Sequence, residues 1–239
     1  MSIEILPKNI HPSWHKFLSD DILNELRNIE SQIGSNYNPP TNLVLRFLEN
    51  DLYNIKIVIL GMDPYPQFGV AIGRCFQVGG HTSWNQPFNK SLQNIIKLIH
   101  KSYSDIIDYG DIKSLGEIRK EIQSDDFDIL SPDTMFDSWE NQGVLLLNAY
   151  LTVEIGKPGS HSDIWDTFSK KLIRFIDAER PDAKWFLWGN DAQEIGTIVI
   201  NGVKYKDRHP SRVSEKYDKD FLKSNCFKET MNIINWLGE

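Results

Sequence analysis

The chain has 239 residues, 40% hydrophobic and 25% charged, the make-up of an ordinary soluble globular protein large enough for a full core. No apolar run approaches the length that spans a bilayer, and Met1-Ser2-Ile3-Glu4 lacks the basic and apolar regions of an export signal. A net charge of −7 argues against a broad cationic surface, so contact with a polyanion would have to be local.

Residues 12–33 place Trp14, Leu18, Ile22, Leu23, Leu26 and Ile29 at helical intervals. Asn38-Pro39-Pro40-Thr41 then breaks the pattern before a short second helix. Residues 56–60 are the first of four short apolar runs and open into Gly61-Met62-Asp63-Pro64-Tyr65-Pro66. A helix starts near residue 91, capped by Ser91 or by Asn89. Residues 104–128 carry eight acids against three bases, and the whole stretch 104–133 reads as the least structured part, a surface cover. The second run, 143–147, ends at Asn148, and 163–178 form the crossover helix to the third run, 184–188, which ends at Gly189-Asn190-Asp191. The fourth run, around Val203-Lys204-Tyr205, leads to His209-Pro210-Ser211. Residues 218–237, apolar at Phe221, Leu222, Phe227, Met231, Ile234 and Trp236, read as a C-terminal helix.

Continuous apolar runs alternating with helical patterns predict an α/β fold. The expected form is a three-layer α/β/α sandwich around a central, mostly parallel four-stranded sheet, in one domain over 1–239. Ligands of such sheets bind beyond the carboxyl ends of the strands. Asp63, Asn148 and His209, far apart in sequence, are therefore expected in one crevice. Lys204, Lys206, Arg208, Arg212 and Lys216 make the loop around His209 basic. Cys75 and Cys226 are expected reduced and buried, and no Cys/His cluster has zinc-like spacing, so no metal is expected.

Gly61-Met62-Asp63-Pro64-Tyr65-Pro66, followed by Ala71-Ile72-Gly73-Arg74-Cys75-Phe76, resembles the first motif of family 1 uracil-DNA glycosylases, G-Q-D-P-Y-H and then A-H-G-L-x-F. Gly143-Val144-Leu145-Leu146-Leu147-Asn148 with Leu151-Thr152-Val153 is similar to that family's G-V-L-L-L-N-x-x-L-T-V. Ser160-His161, Leu187-Trp188-Gly189 with Ala192-Gln193, and His209-Pro210-Ser211 complete the set in order. The resemblance covers roughly residues 50–237. It implies a monofunctional hydrolase that cleaves the N-glycosidic bond of a flipped-out uracil, with DNA as partner and no cofactor. A monomer in the cytoplasm or on the nucleoid, neither secreted nor membrane-bound, is expected.

The same resemblance implies the roles. Asp63 would stabilise positive charge on the sugar and orient water, and His209 would donate a hydrogen bond to the departing base at O2. Asn148 would match N3–H and O4 of uracil through its carboxamide. Phe76 would stack on the base, Tyr65 would block a C5 methyl, and Met62 and Pro66 would form the pocket wall. Ser91, Asn190, Ser211 and Ser214 would hold the DNA backbone, with Arg212 and Val213 at the position of the duplex wedge. Met62 and Pro66 replace the family's glutamine and histidine, Arg212-Val213 replace Pro-Leu, and the loop from Trp84 to Lys90 is altered. These departures surround the pocket. They motivate two rival readings: the same reaction on a substituted cytosine in foreign DNA, as in phage defence, and a catalytically weak DNA-binding scaffold.

Overall fold

The structure, a computed structural model, describes residues 3–238. Its strands are β1 (Tyr37–Asn38), β2 (Ile57–Gly61), β3 (Val144–Asn148), β4 (Val153–Glu154), β5 (Lys184–Trp188) and β6 (Val203–Asp207). Its helices are α1 (Asp20–Ile33), α2 (Lys90–Tyr103), α3 (Leu115–Gln123), α4 (Pro132–Gln142), α5 (Ser162–Glu179) and α6 (Asn190–Ile195). Four strands form one sheet in the order β3-β2-β5-β6, every pair parallel, while β1 and β4 make a separate antiparallel ribbon.

The pleat divides the core into two layers. Val58, Leu60, Leu145, Leu147, Trp185 and Leu187 pack with the buried faces of α1 and α5. Ile57, Ile59, Val144, Leu146, Phe186 and Trp188 pack with α2, α3, α4 and the C-terminal segment. A slip of one residue would exchange the two sets, and each such side chain contributes about 1.5–3 kcal/mol by leaving water. This pattern fixes where each strand ends. Gly61 pairs with Asn148, Leu60 with Leu187 and Trp188 with Asp207, so the carboxyl ends finish at one level. The chain moves from β2 to one neighbour, then returns past it to β5. The crevice at that reversal is the expected ligand position.

The sandwich expected from the sequence is present, with a fully parallel sheet. Helix α2 is capped by Asn89, whose Oδ1 accepts from the N–H of Leu92 at 3.0 Å, leaving Ser91 inside the first turn. Cys75 and Cys226 are buried and unpaired. No helix among the described residues is long and apolar enough to cross a membrane.

Three local expectations change. Within 12–33, a 3-10 turn (Pro12–Trp14) precedes α1, which starts only at Asp20, behind the Ser19 cap. The acidic stretch 104–133 is ordered. It contains α3, opened by a reciprocal Ser114–Glu117 capping box, and buries Ile118, Phe127 and Ile129. The segment 218–237 is not an α-helix but a wrapped chain with two 3-10 turns, Phe221–Lys223 and Lys228–Thr230. Phe221, Leu222, Phe227, Ile234 and Trp236 are buried and Met231 partly so, as the spacing predicts, but side chains compete for the backbone. Asp220 accepts from the N–H of Leu222 (3.0 Å) and of Ser214 (2.5 Å), and Ser224 Oγ accepts from the N–H of Cys226 (3.2 Å).

Candidate active site

A cleft of about 580 Å³ opens at the carboxyl ends of the sheet, lined by residues that follow all four strands. It brings together Met62, Asp63, Tyr65, Pro66, Phe76, Ser91, Asn148, Asn190, His209, Ser211 and Arg212. Val213 and Ser214 do not line it. Val213 is half-buried against the lower core layer, and the backbone of Ser214 is tied to Asp220.

Asp63 lies just beyond β2. Its Oδ2 accepts from the backbone N–H of Gly159 at 2.7 Å. Burial pushes its carboxyl above the ordinary carboxylate range, the Gly159 bond opposes that, and Asp191 across the cleft adds to the rise. The result is a half-buried carboxyl group in the cleft with one oxygen held by the backbone.

His209 N-caps the 3-10 turn Pro210–Arg212 with its own ring. The N–H of Ser211 donates to Nδ1 at 3.2 Å, and Ser211 Oγ lies 2.8 Å from the same nitrogen. An Nδ1 that accepts puts the proton of the neutral ring on Nε2. Burial, with the Arg212 charge behind it, holds the imidazole below its usual pKa, against the pull of Asp191. The ring is a neutral N–H donor. Gly189 makes room for it: at φ 95, a Cβ there would lie 3.0 Å from that of His209.

Asn148 is buried at the end of β3, and its carboxamide makes no hydrogen bond among the described residues. A Cβ on Gly61 would meet its Oδ1 at 2.5 Å, so glycine at the end of β2 is what admits it. Asn148 lines the cleft, so a ligand there can supply the donor and acceptor that its amide lacks within the protein.

Phe76 has φ 62, and the N–H of Gln77 bonds back to Cys75 O at 2.8 Å, closing a γ-turn around it. Strain of this kind, on the order of 1–3 kcal/mol, persists only where surroundings enforce it. Arg74 supplies that enforcement. Its buried guanidinium bonds Gln77 Oε1 (3.0 Å) and Asp137 Oδ1 (2.5 Å) and pairs with Glu140. The Phe76 ring then stands 5.4 Å from that of Trp188 and 6.0 Å from that of His209, an apolar wall beside the two polar groups. Tyr65 closes the opposite side. Its hydroxyl donates to Phe76 O (3.3 Å) and accepts from Asn89 Nδ2 (2.9 Å), and burial raises its pKa.

Several of these partners were not read from the sequence. Gly159 acts only through its backbone, although it directly precedes the Ser160-His161 motif. Asn89 was visible only as a cap. Arg119, in the acidic stretch, reaches Trp84 O (2.5 Å) and Gln86 O (2.8 Å), so α3 braces the loop that leads to Asn89 and the start of α2. Pro66, in place of a histidine, offers a carbonyl already bonded by the N–H of Gly156 at 2.9 Å. In the basic loop, Arg208 stacks on Tyr217, 3.6 Å from its centroid, whereas Lys204 pairs with Trp185 at the start of β6, away from the cleft.

A parallel sheet whose strand ends bring a half-buried carboxylate, a neutral imidazole and an unpaired carboxamide around an aromatic-walled cleft defines a hydrolase of N-glycosyl bonds. The model of the uracil DNA glycosylase superfamily matches residues 49–234, and the chain belongs to that family. It is 34% identical to a uracil-DNA glycosylase of Blochmanniella floridana over 79% of this chain and 81% of that one. It is 32% identical to one of Salmonella arizonae over 95% of this chain and 92% of the other. Among solved structures it superposes on the UNG crystal structure from Nitratifractor salsuginis with a TM-score of 0.71 at 22% identity, covering 95% of this chain and 93% of that one. The mimivirus uracil-DNA glycosylase gives a TM-score of 0.65 at 22% identity over 88% and 72%.

Proposed function

We propose that this chain hydrolyses the N-glycosidic bond of uracil flipped out of DNA, acting as a monomer in the cytoplasm. The observation that carries the reading is the pairing, in one cleft, of the desolvated Asp63 carboxylate with the neutral His209 Nε2–H. As the bond from base N1 to sugar C1′ breaks, its electron pair stays with the base. Asp63 faces the positive sugar and orients a water whose oxygen adds at C1′ while its proton passes to the carboxylate and on to solvent or the base anion. His209 donates to O2 of the anionic base, a contact worth about 3–4 kcal/mol in the transition state. Asn148 offers an acceptor to N3–H and a donor to O4, which completes the pairing that its carboxamide lacks.

Phe76 is placed to stack on the base, and Met62 to line its edge. Tyr65, anchored on both sides, fills the space a C5 substituent would need, which favours uracil over thymine and over a substituted cytosine. Ser91, Asn190, Ser211 and Arg212 line the cleft, where a DNA backbone would pass. No lysine is among the residues lining the cleft, which favours simple hydrolysis over a Schiff-base route. The test is incubation with oligonucleotides that each carry one candidate base, followed by detection of abasic sites. Release of uracil alone is expected; release of a substituted cytosine with uracil untouched would replace this reading.

A further inference from the structure

Phe68 is 85% exposed and lies two residues beyond Pro66, which lines the cleft. Such exposure is costly for a phenyl ring, and the backbone beneath it is not loose. The N–H of Val70 donates to Gln67 O at 3.2 Å, and Gly69 at φ 72 makes this a turn of type II, with Phe68 at its tip. The stem is held on both sides. Asn38 Nδ2 donates to Tyr65 O (3.1 Å) and Gln67 O (2.7 Å), and the N–H of Gly79 donates to Val70 O (2.8 Å). The turn thus belongs to the same rigid stretch as Asp63 and Tyr65. It follows β2 and is tied to the β1–β4 ribbon, whereas Arg208 and Arg212 follow β6 at the edge of the sheet, with β5 between the two strands. Neither arginine has an ion-pair partner among the described residues.

We propose that Phe68 is a stacking platform for the nucleobase next to the flipped nucleotide, holding the strand on the side of the cleft opposite the arginines. The proposal rests on the reading of the cleft as a DNA base site. Once a nucleotide leaves the stack, its neighbour exposes a π-face, and an aromatic side chain covers such a face with little regard to sequence. The phenyl ring gains burial it lacks in the free protein, and its rigid turn loses little entropy on binding.

The test uses single strands that contain 2′-fluoro-2′-deoxyuridine, which resists cleavage, with 2-aminopurine on its 5′ or its 3′ side. Wild-type protein is expected to quench 2-aminopurine on one side only. Phe68→Ala should lose that quenching and bind about tenfold more weakly, with the loss in turnover falling on KM rather than kcat, while Phe68→Trp restores both. Because the ring is exposed, the Tm of each variant should match the wild type, which separates stacking from misfolding. The advantage of wild type over Phe68→Ala should vanish when both neighbouring bases are replaced by abasic linkers. Unchanged quenching and affinity in Phe68→Ala would overturn the stacking role even if uracil is excised. Quenching that depends on Phe68 without any uracil release would support the platform while overturning the assignment of the base.

Discussion

The backbone N–H of Gly159 donates to Asp63 Oδ2 at 2.7 Å, so the loop before α5 holds the carboxylate that the turn after β2 presents. The same loop grips Pro66, whose carbonyl accepts from the N–H of Gly156 at 2.9 Å. With proline at position 66, these two backbone bonds fix the segment from Asp63 to Pro66.

This geometry sets the pH profile. In the proposed reaction Asp63 works as the anion, and burial together with Asp191 raises its pKa, so activity should fall as pH drops through a value above the ordinary carboxylate range. Asp191→Asn removes one raising influence and should move this acid limb to lower pH. His209, held below its usual pKa, acts as the neutral ring and adds no loss on the alkaline side. Rate profiles of single turnover for the two proteins check the shift.

Stability should respond with the opposite sign. A carboxyl whose folded pKa is raised favours folding below its unfolded-state pKa, and that contribution is lost as pH rises through the folded value. Asp63→Asn removes the half-buried anion and should melt at or above the wild-type Tm at pH 8, measured by calorimetry. A clear fall in Tm would mean that the carboxylate is structural.

Gly61→Ala tests the seat of Asn148. The new methyl would lie 2.5 Å from Asn148 Oδ1 and 2.8 Å from Cys75 Cβ, so the carboxamide or the strand must shift. A shift of this size in a site that orients its substrate costs on the order of a hundredfold. The expected result is at least that loss in kcat/KM, with a two-state melt retained.

Part of this was legible in the sequence and part was not. The four apolar runs located the parallel strands because burial on both faces demands unbroken apolar residues. Hence the sequence alone predicts Asp63, Asn148 and His209 at one end of the sheet. Three letters alone would not have sufficed. His11-Pro12-Ser13 repeats His209-Pro210-Ser211 and builds the same turn, with the N–H of Ser13 on His11 Nδ1 at 3.3 Å. There, however, Ser13 Oγ accepts from the N–H of Leu52 at 3.0 Å, and the ring faces Asp51 rather than the cleft. Only position relative to a strand end separates the two. The C-terminal segment misled because apolar spacing reports which residues are buried, not how the backbone bonds. The bonds from Asp220 and Ser224 decided that, and the Gly159 contact leaves no side-chain signal at all.

DNA affinity should fall steeply with salt. Arg208 and Arg212 line the cleft, so replacing both with Ala should flatten the logarithmic salt slope by about one unit per lost phosphate contact. Lys204→Ala, at the far end of β6, should leave the slope nearly unchanged. Titrations at several salt concentrations distinguish the two variants.

Tyr65→Ala should open the C5 side and permit measurable thymine release, whereas wild type leaves thymine intact. Asn148→Asp should shift preference toward cytosine, since a protonated carboxyl can match that base's edge. A site whose polar groups lose their partners discriminates more strongly than a steric wall, so the Asn148 exchange should have the larger effect. Competition between uracil, thymine and cytosine oligonucleotides gives both ratios.

The most direct measurement is single-turnover base release from a uracil oligonucleotide by wild type, Asp63→Asn and His209→Ala. Each variant should be slower by about two orders of magnitude or more, because each removes stabilisation of one developing charge. Near wild-type release by Asp63→Asn, from a protein shown to bind the oligonucleotide normally, would contradict the account.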